Sequence, residues 1–163
     1  MKSVILFRHG KSDWNTLYKK DHDRPLSQRG IQAAKKMGEY LSKIQQVPDL
    51  IISSTALRAK TTAELAKNFG KWNSDLIFER DIYESSLDDL LAILARQKLE
   101  ISFICLVGHE PTFSYFISEM TKTNWGKFPT AAMARIDFQL TDWKELKSGE
   151  GTLSWLKRPK ELV

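Results

Sequence analysis

The stretch SVILF at residues 3–7, followed directly by RHG at residues 8–10, decides the fold of this 163-residue chain. The first segment is apolar at almost every position and includes β-branched residues, a pattern that predicts a strand covered on both faces. Strands of this kind belong to parallel sheets that lie between layers of helices. The polar residues that follow are then expected at the edge of the sheet where open α/β proteins bind ligands.

Similar apolar runs alternate with helical periodicities along the rest of the chain. Further strands are predicted at Leu50–Ser53, Leu76–Glu79, Ile101–Val107, Met133–Leu140 and Thr152–Leu156. Helices are predicted over Ser27–Ile44 and Leu57–Phe69, from Ser86 onward and after Pro111. Alternating strands and helices, followed by two strands in succession, predict an α/β fold. We expect a three-layer α/β/α sandwich around a mostly parallel, mixed sheet, in a single domain over residues 1–163.

Composition excludes several classes of protein. The 25 lysines and arginines exceed the 20 aspartates and glutamates by only five, without a long basic block, so we expect no nucleic-acid or membrane partner. The single cysteine, Cys105, excludes an intramolecular disulfide and a cysteine-rich metal site. The sequence shows no signal peptide and no apolar span, which predicts a cytoplasmic protein. The densest basic cluster, Lys157–Lys160, is interpreted either as a frayed, solvated terminus or as a partner site.

Basic residues follow three of the predicted strands. Arg8 and His9 follow the first, Arg58 lies just past the second, and His109 follows the fourth. Each taken alone is commonly a buried polar group or a solvated residue. Their recurrence at strand ends points to a ligand, because a core gains nothing from collecting like charges. Guanidinium groups pair with phosphate oxygens, and an imidazole serves as nucleophile or donor near neutral pH, so these residues predict a phosphoryl site.

Three sequence elements carry a resemblance to a known family. Residues 8–15, RHGKSDWN, resemble the R-H-G-x-S-x-W-N signature of the histidine phosphatase superfamily, which also contains phosphoglycerate mutases and acid phosphatases. Residues 54–63, STALRAKTTA, resemble its S-x-x-x-R-A-x-x-T-A element, and GHEP at residues 108–111 resembles its third element. The third element and DRPLS at residues 23–27 are most similar to the small SixA-like branch of phosphohistidine phosphatases. The resemblance covers nearly the whole chain.

The resemblance implies the central roles in the site. It implies that His9 is the nucleophile, which attacks phosphorus and becomes phosphorylated before water releases the phosphate. It also implies that Arg8, Arg58 and His109 hold the phosphoryl oxygens.

Other residues are expected at the edge of the same site. Glu84 lies near the position where the family has its proton donor, and a surface carboxylate is the alternative interpretation. Asn15 and Arg24 are expected to contact the substrate. The resemblance calls for no metal and no cofactor. Asp21–Asp23 is interpreted as a solvated loop, because three adjacent loop residues rarely face one point.

The sequence therefore predicts a metal-independent phosphatase that works through a covalent phosphohistidine on His9. The stretch between Arg58 and Gly108 has little room for a cap insertion, so we expect an open pocket that acts on protein phosphohistidine. A small phosphorylated substrate is the alternative within this chemistry, and inorganic phosphate is the product of both. A phosphate-binding module without turnover is the alternative from another class. Trp125 and Trp155 are interpreted as core, pocket wall or interface.

Overall fold

Strands and helices alternate along the chain in a computed structural model that describes residues 1–124 and 126–162, so that Trp125 lies outside the described residues. The strands are β1 (Lys2–Arg8), β2 (Leu50–Ser54), β3 (Asp75–Glu79), β4 (Phe103–Gly108), β5 (Met133–Phe138) and β6 (Gly151–Lys157). The helices are α1 (Gln28–Lys43), α2 (Leu57–Gly70), α3 (Leu87–Ala95) and α4 (Thr112–Thr121). Short 3-10 turns occur at Asp21–Asp23, Arg80–Ile82, Trp143–Glu145 and Pro159–Glu161.

The six strands form one mixed sheet in the order β3-β2-β4-β1-β5-β6. Neighbours among β1 to β4 pair in parallel, whereas β5 is antiparallel to both β1 and β6. This arrangement confirms the predicted mostly parallel sheet with antiparallel pairing near the C-terminus. Arg8 pairs with Gly108 at the carboxyl ends of β1 and β4, so the polar residues that follow these strands emerge side by side.

Alternate residues of the strands enter two separate cores, which produces the three layers. Val4 and Leu6 pack in one core with apolar residues of α3 and α4. Ile5 and Phe7 pack on the opposite face with residues of α1 and α2. All four side chains are fully buried, as the almost uninterrupted apolar pattern predicts for a strand covered on both faces.

Capping residues in the sequence lie at the observed starts of α1 and α3. The Ser27 hydroxyl accepts a hydrogen bond from the Gly30 amide at 3.1 Å and caps α1. Ser86 and Asp89 form a reciprocal capping box at the start of α3. The helix predicted after Pro111 is α4, and Pro111 is its N-cap.

The C-terminal segment is folded against the domain. The 3-10 turn after β6 contacts α1, and Leu162 packs against the core on that face of the sheet. Trp155 packs at the same core and donates a hydrogen bond to Gln46 at 2.9 Å. No helix in the described part of the chain is long and apolar enough to cross a membrane.

Candidate active site

The carboxyl ends of β1 and β4 bring two imidazoles together. The His9 amide donates a hydrogen bond to the Gly108 carbonyl at 3.1 Å, which continues the strand pairing by one residue. The ring centroids of His9 and His109 consequently lie 5.2 Å apart, although 100 positions separate these residues in the sequence. Both side chains are buried at the wall of a cleft of about 590 Å³.

The tautomer of His9 is fixed by its backbone neighbour. His9 Nδ1 lies 2.7 Å from the Gly10 carbonyl, which can only accept, so Nδ1 carries the proton and Nε2 keeps its lone pair. The pKa of His9 is lowered to about 3, chiefly because burial disfavours the imidazolium, and the positive charges of Arg58 and Arg8 lower it further. His9 is therefore neutral and nucleophilic at neutral pH.

Two contacts hold the segment that fixes His9. The Gly10 amide donates to the Thr62 hydroxyl at 3.0 Å, and that hydroxyl donates to the Arg58 carbonyl at 2.7 Å. On the other side, a side chain at Gly10 would come within 2.7 Å of the Gly30 carbonyl oxygen. Glycine is thus required at position 10 by close approach of the backbone to the start of α1.

His109 is positioned by the end of β2. Its Nε2 lies 2.8 Å from the Ser54 hydroxyl, whereas its buried Nδ1 has no hydrogen-bond partner among the described residues. The pKa of His109 is lowered to about 3 because of burial, with smaller contributions from His9 and Arg58. If the Ser54 hydroxyl donates to Nε2, a neutral His109 presents an Nδ1–H donor for an anion.

Three arginines converge on the cleft with part of their hydrogen-bonding capacity unused. Arg8 donates to the Phe128 carbonyl at 2.9 Å, and the Arg24 guanidinium stacks 3.6 Å from the ring centre of Trp14. Among the described residues, the buried side-chain nitrogens and oxygens without a partner are the Nε atoms of Arg8, Arg24 and Arg58 and Nδ1 of His109. All four atoms belong to residues that line this one cleft. Unpaired buried donors are rare in proteins, and their concentration here suits a multivalent anion.

The site also contains a carboxylate that the sequence analysis missed. Asp21 accepts from Arg58 Nη2 at 3.0 Å and from the Tyr83 hydroxyl at 2.7 Å, and it forms a close ion pair with Arg24. Burial opposes ionisation, but these donors prevail and lower the pKa of Asp21. The interpretation of Asp21–Asp23 as a solvated loop holds for Asp23, which is largely exposed, but is wrong for Asp21 and for His22, which bonds the Thr55 hydroxyl at 2.8 Å. Asp21 was not separable from its neighbours in the sequence because only the folded loop directs it at Arg58.

Two further carboxylates lie at the cleft. Glu84 is exposed at the rim, and its backbone adopts φ 54°, a left-handed conformation that is uncommon for a residue other than glycine. Glu110 accepts from the Ser114 amide at 2.8 Å and from the Ser114 hydroxyl. The Ser114 amide at the start of α4 is therefore occupied by a carboxylate of the chain itself.

The cleft brings together most of the predicted site residues. Its lining includes the predicted residues Arg8, His9, Arg24, Arg58, Glu84 and His109. Asn15 is not part of the lining. It is exposed in a turn in which the amides of Asn15 and Thr16 donate to Asp13. The described residues contain no group of three or more metal-ligating side chains able to hold an ion.

Comparison with known proteins gives a family and several similar structures. The model of the histidine phosphatase superfamily (branch 1) matches residues 4–92, more than half of the chain. The crystal structure of a candidate SixA phosphohistidine phosphatase from Agrobacterium tumefaciens superimposes with a TM-score of 0.83 at 26% identity. That superposition covers 97% of this chain and 98% of the other.

Two relatives in sequence differ in how much of their length is matched. An uncharacterized chloroplastic protein of Arabidopsis thaliana is 29% identical over 163 aligned residues, which cover 94% of this chain and 74% of that protein. A 2,3-bisphosphoglycerate-dependent phosphoglycerate mutase of Mycobacterium leprae is 39% identical over 72 residues. The latter match covers 43% of this chain and only 29% of the mutase, so it is confined to part of each protein.

Proposed function

Because this chain belongs to the histidine phosphatase superfamily, we propose that it is a metal-independent phosphatase that removes the phosphoryl group from phosphohistidine in proteins. The observation that carries the proposal is the environment of His9. A buried, neutral imidazole with its Nδ1 proton already engaged lies beside unpaired donors of three arginines and His109. That arrangement suits a nucleophile for phosphorus together with a cradle for phosphoryl oxygens.

In the first step, the Nε2 lone pair of His9 attacks phosphorus. The bond from phosphorus to the substrate nitrogen breaks, its electron pair stays on that nitrogen, and a proton must reach the nitrogen as it leaves. Nδ1 of His9 keeps its proton, because that N–H donates a hydrogen bond to the Gly10 carbonyl. The ring phosphorylated at Nε2 therefore carries a positive charge. A ring in this state is a good leaving group for the second step.

In the second step, water attacks phosphorus and the P–Nε2 bond breaks. The electron pair returns to Nε2 of His9, the water gives up a proton, and inorganic phosphate leaves. Glu84 at the rim is a suitable group to supply the proton in the first step and to take one in the second. Its left-handed backbone also supports a functional placement, because such conformations cost about 1 kcal/mol or more and cluster at active sites.

The cations supply the electrostatic part of the catalysis. Phosphoryl transfer spreads charge over three equatorial oxygens, and catalysis comes mostly from groups already placed to meet that charge. Arg8 and Arg58 are fixed by contacts to Phe128 and to Asp21, so their positions need little adjustment when the anion arrives. This use of fixed guanidinium groups makes a metal unnecessary for the proposed chemistry.

The substrate class follows from the shape of the cleft and from the leaving group. Between α2 and β4 the chain forms only β3, a 3-10 turn and α3, and we propose that this part carries no cap over the site. A phosphoryl group that projects from the surface of another protein can enter a cleft that no cap covers. The imidazole of phosphohistidine also leaves more easily than an alkoxide, so an acid as exposed as Glu84 is sufficient.

Trapping the intermediate tests the mechanism. The wild-type enzyme, mixed rapidly with a protein carrying labelled phosphohistidine and quenched in base, should carry label on His9. The variant His9→Ala should lose both the label and turnover while it keeps the thermal stability of a folded protein. Turnover by His9→Ala at the wild-type rate would overturn the proposal.

A small-molecule phosphomonoesterase is the second candidate, and Glu84 at the rim is the observation that favours it. An alkoxide leaving group needs an acid, so Glu84→Gln should abolish turnover of sugar phosphates but lower turnover of phosphohistidine only about tenfold or less. The control Glu100→Gln makes the same change at an exposed residue before β4. A wild-type enzyme with higher kcat/KM on sugar phosphates than on phosphohistidine would favour the second candidate.

A further inference from the structure

A second basic cleft of about 290 Å³ adjoins the one that contains His9. Four cationic side chains line it, and they come from three separate parts of the chain: Lys11, Arg29, Arg158 and Lys160. The rest of the lining consists of Ala33, Pro129, Thr130 and Pro159, so the cleft has no carboxylate among the described residues that form its wall. We call it the C-terminal cleft.

The C-terminal cleft lies next to the active-site cleft. Lys11 and Thr130 line both of them. Backbone hydrogen bonds hold the neighbouring segments: the Ala131 amide, next to Thr130, donates to the His9 carbonyl at 2.9 Å, and the Ser27 amide at the start of α1 donates to the Lys11 carbonyl at 2.8 Å. A molecule whose phosphoryl group meets His9 can therefore extend a second group past Lys11 into the C-terminal cleft.

The basic residues near the C-terminus are held in place. Lys157 still pairs with Met133 at the end of β6, and Arg158 forms an ion pair with Glu161 at 3.0 Å. The structure therefore disagrees with a frayed terminus, one of the two interpretations of this basic cluster. Glu161 offsets the charge of Arg158 in part. Within the described residues, no ion pair within 4.0 Å involves Lys11, Arg29 or Lys160.

The composition of the C-terminal cleft indicates what it binds. Among the described residues, its lining has cations but no aromatic side chain on which nucleic-acid bases could stack. The side chains of Arg29 and Lys160 are exposed, and they belong to different parts of the chain, which suits carboxylates on the surface of a protein better than one small buried anion.

We propose that the C-terminal cleft binds aspartate or glutamate side chains of the protein that carries the phosphohistidine. This inference rests on the proposed function and adds a preference to it: phosphohistidine with acidic neighbours is the better substrate. Exposed ion pairs are individually weak, so three or four of them together should change kcat/KM about tenfold at low ionic strength.

A pair of peptides tests the preference. Both contain one phosphohistidine, with glutamate at the flanking positions in one peptide and glutamine in the other. The wild-type protein should favour the glutamate peptide about tenfold in kcat/KM, mostly through KM, and 0.5 M salt should remove the difference. The double variant Arg29→Gln/Lys160→Gln should lower the ratio between the peptides to about two or less.

A matched variant shows whether the effect belongs to the C-terminal cleft. Lys98→Gln removes one exposed charge in the segment before β4, away from the carboxyl ends of the strands, and should leave the ratio unchanged. Equal kcat/KM for the two peptides in the wild-type protein, or a preference that survives in the double variant, would overturn this inference alone. If the wild-type protein hydrolyses neither peptide, the proposed function fails and this inference fails with it.

Discussion

The carboxylate of Asp21 lies 3.0 Å from Nη2 of Arg58, so an anion of the protein itself occupies part of the hydrogen-bonding capacity of the active-site arginine. Arg58 also donates to the Asp21 carbonyl at 2.8 Å, and Arg24 pairs with the same carboxylate. The loop that carries Asp21 thus orients two arginines and at the same time offsets their charge. The orientation of the arginines favours binding of a phosphoryl group in the cleft, whereas the negative charge of Asp21 opposes it.

A substitution that removes the charge of Asp21 but keeps the shape of its side chain distinguishes the effect of charge from that of orientation. Asp21→Asn should bind inorganic phosphate about fivefold more tightly at low ionic strength, because a negative charge near the ligand costs about 1 kcal/mol in a partly solvated site. Calorimetric titration of the variant and the wild-type protein with phosphate measures the change. Asp23→Asn, the same change at the largely exposed neighbour, is the control and should have no effect. Unchanged or weaker binding by Asp21→Asn would show that orientation of the arginines outweighs charge.

Thr62 is expected to act on catalysis through Gly10. Its hydroxyl accepts a hydrogen bond from the Gly10 amide and donates one to the Arg58 carbonyl. The Gly10 carbonyl in turn accepts a hydrogen bond from Nδ1 of His9. Thr62→Val keeps the volume but leaves the buried Gly10 amide unpaired, so kcat should fall about tenfold or more while KM changes little. Steady-state kinetics on one phosphohistidine substrate gives both constants.

A conservative variant distinguishes positioning from general damage to the fold. Thr62→Ser restores the hydroxyl and should recover most of kcat, although it leaves a small cavity. If Thr62→Ser were as slow as Thr62→Val, or if both retained the wild-type kcat, the link from Thr62 to His9 would be wrong.

The sequence was sufficient to predict the layers and the central cluster, because both depend on local patterns. Apolar runs placed the strands within a few residues of their observed ends, and parallel pairing then required Arg8 and His9 to lie beside His109. Capping by Ser27 was likewise readable, since a serine before a periodic run is a local signal.

Loop geometry was not predictable in this way. The loop between β1 and α1 has no periodicity, and its conformation is set by contacts such as that of His22 with Thr55. That conformation directs Asp21 toward Arg58, while a turn closed by the Asp13 side chain leaves Asn15 exposed. Neither orientation has a signature in the spacing of residues.

The two buried histidines should make the protein less stable in acid. Their folded-state pKa of about 3 lies below the unfolded value of 6.5, so the unfolded chain binds more protons between these pH values. Stability contributed by the neutral rings is complete above pH 6.5 and declines as the pH falls toward 3. At pH 5 each ring should cost up to about 2 kcal/mol of the free energy of unfolding.

Urea unfolding of the wild-type protein and of His109→Gln at pH 5, 6 and 7 measures this contribution. The variant should lose less free energy of unfolding between pH 7 and pH 5 than the wild-type protein, because one proton-binding difference is removed. Parallel pH profiles for the two proteins would mean that His109 titrates alike in the folded and unfolded states.

The contact of Gly30 with Lys11 makes the start of α1 sensitive to a single methyl group. A Cβ at position 30 would lie 2.3 Å from the Lys11 carbonyl oxygen, which is a backbone atom that cannot rotate away. Alanine favours a helix by up to about 1 kcal/mol over glycine, but overpacking costs about 1–3 kcal/mol, so Gly30→Ala should be net destabilising in urea titrations. Gly126→Ala is the matched control, since a Cβ there meets nothing among the described residues within 4 Å, and it should stay within about 0.5 kcal/mol of the wild-type protein.

Gly30→Ala should also lower kcat, because Lys11 follows the segment that holds His9. An unchanged kcat would show that the loop adjusts without moving His9.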